Sequence, residues 1–281
     1  MRTNSIRLTG AKKGTTSLIL VGVHGDERCG IEAIEKILPE LEIEQGEVII
    51  EYGNPRAIEQ NVRYTEANLN RMFKSESELT AEEKNSYEYA RAQYLKILMN
   101  EADALLDIHA SFTPVSRPFL ICEANAAEIA TQMPFDTIVS GFDAIEPGGT
   151  DYYMNANGKV GISVECGYLG DPVSTETAVS AIRSFLKARG HISAVLGQSK
   201  FSSQDKEYFK MHTLYLTRSD EFKLDRPLVD FQDLHAGQAI GADGEAIICA
   251  DKDCMVLFAR DQNVAGSEAF LLGTRKTAEQ N

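Results

Sequence analysis

Between residues 17 and 188, short β-type runs alternate with helical patterns, and this alternation restricts the fold more than any other feature. Residues 17–23 form a compact apolar run, after which Ile31, Ile34, Ile37 and Leu38 recur at helical spacing. Val48, Ile49 and Ile50 mark a second strand between Gly46 and Gly53. Thr80 and Glu83 have capping-box spacing, which predicts one long helix running through Tyr87, Tyr94, Leu95 and Leu98. Residues 104–108, 118–122 and 160–165 read as further strands. Residues 175–188 read as an amphipathic helix with Gly190 as its stop. Strands spaced by helices in this way belong in a sheet covered on both faces, an α/β architecture.

After about residue 197 the pattern turns strand-like. Phe209, Met211, Leu214 and Leu216 alternate with polar residues, and Asp243-Gly244 is a hairpin signal before residues 246–250 and 254–259. The chain therefore reads as a domain of residues 1–197 and a β-rich domain of residues 198–281. The joint is expected at Gly197-Gln198-Ser199, with residues 277–281 as a loose tail.

Charge narrows the partners. With 28 basic and 42 acidic side chains in 281 residues, the net charge is −14. Phosphate neutralisation needs clustered Lys and Arg, so nucleic acid is an unsuitable partner, and anionic membrane surfaces are disfavoured. No apolar run is long enough to span a bilayer, and the first five residues lack a secretory core. Five cysteines without C-x-x-C spacing read as free thiols, so a cytoplasmic location is expected.

The chemistry sits at strand ends. His24 and Glu27 follow the first strand, and a three-residue offset across a strand-to-helix turn can aim both side chains at one point. The pair also reads as a turn histidine beside an acid that favours the helix dipole. His109 ends the strand at 104–108, and Glu165 ends the strand at 160–164. In open α/β sheets ligands bind outside the carboxyl ends of strands. Two histidines and a carboxylate leave a fourth tetrahedral position open, the arrangement of a catalytic zinc. Taken alone, His109 reads more readily as a hydrogen-bonded core histidine, and Glu165 equally as a solvated strand end. Arg63, Asn70 and Arg71 fall in one irregular stretch and suit carboxylate recognition, or a charged surface loop. Asp107 shares a strand face with His109 and is a candidate acceptor for it.

Together these segments resemble the succinylglutamate desuccinylase/aspartoacylase family of zinc-dependent deacylases. The resemblance is carried in order by residues 22–27, 53–57, Arg63-Tyr64, residues 70–73, Asp107 to His109, residues 146–150 and Val164-Glu165. It implies a three-layer, zinc-carboxypeptidase-like catalytic domain with a mixed β-sheet, plus a small C-terminal β-rich domain. It implies one zinc per subunit on His24, Glu27 and His109, with metal-bound water as nucleophile and Glu165 as general base. Arg63 would hold the oxyanion, and Asn70 and Arg71 the product carboxylate. The substrate would be a small acidic N-acyl amino acid resembling N-succinylglutamate or N-acetylaspartate. A peptide-directed metallocarboxypeptidase and a catalytically silent zinc or small-molecule binding protein are the alternatives, and homo-oligomerisation stays open. Asn68, Ala110-Ser111 and Cys166-Gly167 depart from the family pattern, leaving the acyl group and amino acid undefined. Arg117 is a candidate for a second substrate carboxylate. The β-rich domain is expected to act as a lid.

Overall fold

The computed structural model describes residues 5–193 and 206–276; the expected joint at 197–199 and tail at 277–281 lie outside the described residues. The first strands are β1 (Ile6–Thr9), β2 (Lys12–Val21), β3 (Gln45–Tyr52) and β4 (Ala104–Ser111). They are followed by β5 (Phe119–Cys122), β6 (Thr137–Ser140) and β7 (Val160–Tyr168). Later strands are β8 (Glu207–Leu216), β9 (Phe222–Leu224), β10 (Gln232–Leu234) and β11 (Ala239–Asp243). The last are β12 (Ala246–Cys249), β13 (Cys254–Leu257) and β14 (Glu268–Lys276). An eleven-stranded sheet runs in the order β1-β3-β2-β4-β7-β5-β6-β8-β14-β13-β10, and β12, β11 and β9 make a small antiparallel sheet.

The large sheet is mixed: β3, β2, β4 and β7 are parallel, while β5 runs antiparallel to β7. On each side of the expected joint, β6 and β8 pair in parallel from Thr137↔Glu207 to Ser140↔Lys210. One hydrogen-bonded sheet therefore continues from the first part of the chain into the last.

Period-two alternation divides the central strands between two cores. Ile19, Val21, Leu106, Ile108 and Val164 face helices α1 (Cys29–Ile37) and Ser174–Ala188 on one side. Leu18, Leu20, Ile49 and Leu105 face helices α2 (Tyr87–Glu101) and α3 (Thr150–Ala156) on the other. The helix at Ser174–Ala188 is α4; it ends where Gly190, at φ +76°, bonds back to the Lys187 carbonyl. Alternation also puts Glu165 and Cys166 on opposite faces, and Cys166 packs in the α1/α4 core. His191 belongs to the scaffold: its two ring nitrogens meet the Gln45 carbonyl and Ser17 Oγ, each at 2.8 Å.

One expectation needs correction. The Thr80/Glu83 capping box is present, but it caps only the short helix Ala81–Lys84. Ser86 is extended, at ψ 156°, and its hydroxyl accepts from Tyr89 N–H to cap α2 separately. A second cap six residues after the first divides the expected helix, because Ser competes well for helix N-terminal donors. Strands β1 and β6 were not expected; four residues are too few for alternation to stand out. The Asp243-Gly244 hairpin forms as read, joining β11 to β12 with Gly244 at φ +59°. Among the described residues, no helix is long and apolar enough to cross a membrane.

Candidate metal centre and substrate pocket

The strand ends expected to meet do meet. His24 and Glu27 lie in the turn between β2 and α1. That turn is tight: Gly22 has φ +67°, and a Cβ on Gly25 would fall 2.1 Å from the Ala57 carbonyl carbon. His109 lies in β4 beside Glu165 of β7, in direct register. His24, Glu27 and His109 are 2–3% exposed, and one ligand atom from each falls within 4.8 Å of the others.

Proton positions within this cluster decide what it can hold. His24 Nδ1 lies 2.8 Å from Glu27 Oε1, and His109 Nδ1 lies 2.8 Å from Glu27 Oε2. The outer nitrogens have their own acceptors. His24 Nε2 is 3.1 Å from Asn68 Oδ1, an oxygen that also accepts from Asn70 N–H. His109 Nε2 is 3.0 Å from Asp107 Oδ2, within charge attraction but off the line of an N–H bond. Asp107 is itself fixed by the Thr150 hydroxyl at 2.6 Å. With protons on the outer nitrogens, both inner nitrogens present lone pairs to a carboxylate. Two imidazole lone pairs and a carboxylate converging in a buried space are a donor set that fits a divalent cation such as zinc.

Charge on the two histidines differs. Burial, then the nearby Arg63 charge, lowers the His24 pKa to about 4, so this ring is neutral. Burial opposes charge on His109 too, but Asp107 and Glu27 outweigh it and raise its pKa. Arg63 Nη1 donates to Glu27 Oε1 at 2.9 Å, and Ala110 N–H donates to Oε2 at 3.2 Å.

Glu165 is 8% exposed, and its Oε2 has no hydrogen-bond partner among the described residues. Burial, then the Glu27 charge, pushes its pKa up to about 8. A carboxyl group that titrates near neutrality suits proton exchange.

These groups share a cleft with Asn70 and Arg71. Arg71 is fully engaged. Its Nε and Nη2 meet the two Glu268 oxygens at 2.7 and 3.0 Å, Nη2 meets Glu146 at 2.5 Å, and Nη1 donates to the Asn70 carbonyl. Burial works against Glu268 ionising, yet Arg71 holds its pKa down to about 2. Burial dominates at Glu146, despite Arg71, and pushes it up to about 7. The Asn70 side chain accepts from Thr150 N–H at the start of α3.

Arg117 lies elsewhere: it pairs with Glu207 at 2.7 Å and stacks on Phe231. Glu268, Asp151 and Arg260 line the cleft but were not singled out from sequence. Glu268 and Arg260 come from the β-rich part, where no motif marks them; Asp151 falls one residue beyond a quoted motif.

Fold and site together define a mixed α/β protein with a buried His/Glu/His cluster able to hold a metal ion. Residues 13–192 match the family described as succinylglutamate desuccinylase/aspartoacylase catalytic domain, and the chain belongs to that family. It is 32% identical over 130 residues to aspartoacylase from Xenopus tropicalis, covering 41% of this chain and 40% of that protein. It is 26% identical over 194 residues to a probable aspartoacylase from Nostoc sp., covering 62% of this chain and 65% of that protein. Each match thus spans less than two thirds of the relative's length. The fold resembles a solved succinylglutamate desuccinylase from Vibrio cholerae, with a TM-score of 0.79, 16% identity, and coverage of 96% and 85% of the two chains.

Proposed function

We propose that the protein is a zinc-dependent amidohydrolase removing the acyl group from a small N-acyl amino acid, of the N-succinylglutamate or N-acetylaspartate kind. One observation carries this reading: the inner lone pairs of His24 and His109 converge on Glu27, with the unpartnered Glu165 carboxyl in the same cleft. Zinc held by His24, Glu27 and His109 would supply Lewis acidity, making a water more acidic and polarising an amide carbonyl.

The chain's own side chains do the rest. Glu165 takes the proton of the attacking water and returns it to the departing nitrogen, a role open to a carboxyl group with a free oxygen in the cleft. Arg63, which is part-exposed and anchored on Glu27, presents positive charge to the developing oxyanion. Asn70 and Arg71 orient the amino-acid carboxylate, with Arg71 fixed by Glu146 and Glu268. Residues 1–197 act as the catalytic domain. Residues 198–281 close the pocket as a β-rich second domain, through Phe258, Phe270 and Leu271, and so exclude water. The free thiols of Cys29, Cys122 and Cys166 support a cytoplasmic location.

The test is metal analysis of purified full chain, followed by assays with N-acetyl-L-aspartate and N-succinyl-L-glutamate. Stoichiometric zinc with release of the free amino acid is expected. Zinc without turnover, on these compounds or on short peptides, would leave a binding protein. Turnover of peptides alone would make it a carboxypeptidase.

A further inference from the structure

Six carboxylates and three arginines line the cleft, and the arginines differ in what they already hold. Arg63 donates to Glu27, and Arg71 is clasped by Glu146 and Glu268. Arg260 has no carboxylate within ion-pair distance among the described residues, and its buried Nε has no hydrogen-bond partner. This is unusual in a chain with fourteen more acidic than basic side chains. Glu268 and Glu146 attract its charge from beyond ion-pair distance and Arg63 repels it, so this part-buried guanidinium has counter-charge nearby but no direct carboxylate partner.

Arg260 is nevertheless held in place. Its backbone N–H bonds the Ala269 carbonyl at 2.9 Å, which seats it beside Glu268 on β14. Its guanidinium lies 4.3 Å from the centroid of Phe112, and Phe112 packs on Phe258 at 5.7 Å. Arg63 approaches the same Phe112 ring at 5.9 Å. Two guanidinium groups thus flank one aromatic side chain, the first beside the His/Glu/His cluster and the second further along the cleft. A planar fork stacked on a ring is pre-organised for bidentate capture of a carboxylate.

We propose that Arg260 is a specificity-determining residue, gripping the carboxylate that distinguishes an N-acyl acidic amino acid from its neutral counterpart. The identity of the substrate rests on the deacylase reading; the preference for an anion rests on the unpaired, stacked fork of Arg260.

Calorimetric titration of the metal-free full chain tests this without hydrolysis intervening. The probes are N-acetyl-L-aspartate, N-acetyl-L-asparagine and N-acetyl-L-ornithine. Wild type should prefer the aspartate compound to the asparagine compound by about tenfold or more, the range of a charged hydrogen-bonded contact. Arg260→Gln should bring the two within about twofold by weakening the aspartate compound alone, and Arg260→Lys should fall between. Arg117→Gln, off the cleft, should leave the preference intact. No preference in wild type, or a preference retained in both Arg260 variants, would overturn the proposal. So would tightest binding of the ornithine compound, which would make Asp143 and Asp151 the recognising groups. Preference that depends on Arg260, with no turnover after zinc loading, would support Arg260 and overturn only the deacylase reading.

Discussion

Two charged clusters share one cleft, and they are built in opposite ways. Around Glu27, two imidazoles and Arg63 converge on one buried carboxylate, and Arg63 reaches just one of its oxygens. Around Arg71, the cation is present and two carboxylates saturate it. The first cluster could take a guest cation. The second already has its counter-charges, so it holds the shape of the wall while fixing Arg71 in the cleft. Removing parts should therefore affect metal binding and chemistry at the first cluster, and folding stability above all at the second.

The sharpest separation comes from His109→Ala and Glu165→Gln. His109→Ala should abolish stoichiometric metal and reduce turnover to background, read by elemental analysis and a deacylation assay. Glu165→Gln should keep the metal while kcat falls about 100- to 10,000-fold, the usual contribution of a general acid–base. Unchanged kcat in that variant would reject the role of Glu165. At the other cluster, Arg71→Met leaves Glu146 and Glu268 buried without their partner. It should cost about 3–5 kcal/mol of stability in urea unfolding of the metal-free chain. Stability within 1 kcal/mol of wild type (about one pKa unit of interaction) would show that this cluster is not structural.

Asp107→Asn addresses the support of the first cluster. Weakening the partner of His109 should lower metal affinity about 10- to 100-fold, measured by competition with a chelator. The smallest effect concerns pH. Glu146 has a folded pKa of about 7, above its ordinary value of 4.5, so the folded state binds the extra proton between those values. Its contribution to stability is present below about pH 4.5 and is lost as pH rises through 7. Glu268, held at about 2, contributes in the opposite sense, and that contribution disappears as pH falls from 4.5 through 2. Glu146→Gln should flatten part of the decline in urea midpoint between pH 5 and 7.5; an unaltered slope would remove Glu146 from the account.

The same contrast explains which parts of the molecule could be read in the sequence. His24 and Glu27 are three residues apart, and His109 and Glu165 each terminate an apolar run, so short-range pattern and strand geometry bring them together. The partners of Arg71 have no such signal: Glu268 is 197 residues away and is brought back by strand order alone. Arg260 is invisible for the same reason. Local signals also had limits where two competed. Thr80 was a correct cap, but Ser86 began a second helix that the first cap concealed. The β-rich character of the last eighty residues was legible from alternation. The pairing of β8 with β6 was not, because register between distant strands leaves no periodic mark.

That pairing has a consequence for the order in which the molecule comes into being. The His24, Glu27 and His109 cluster is complete once residue 109 has been made, but the wall opposite needs Arg260 and the β14 residues Glu268 and Phe270. Contacts of such long sequence separation close late, and a chain emerges from the ribosome N-terminus first. A nascent chain therefore carries this His/Glu/His cluster for well over a hundred residues of synthesis before Arg71 finds Glu268 and the cleft acquires its far side.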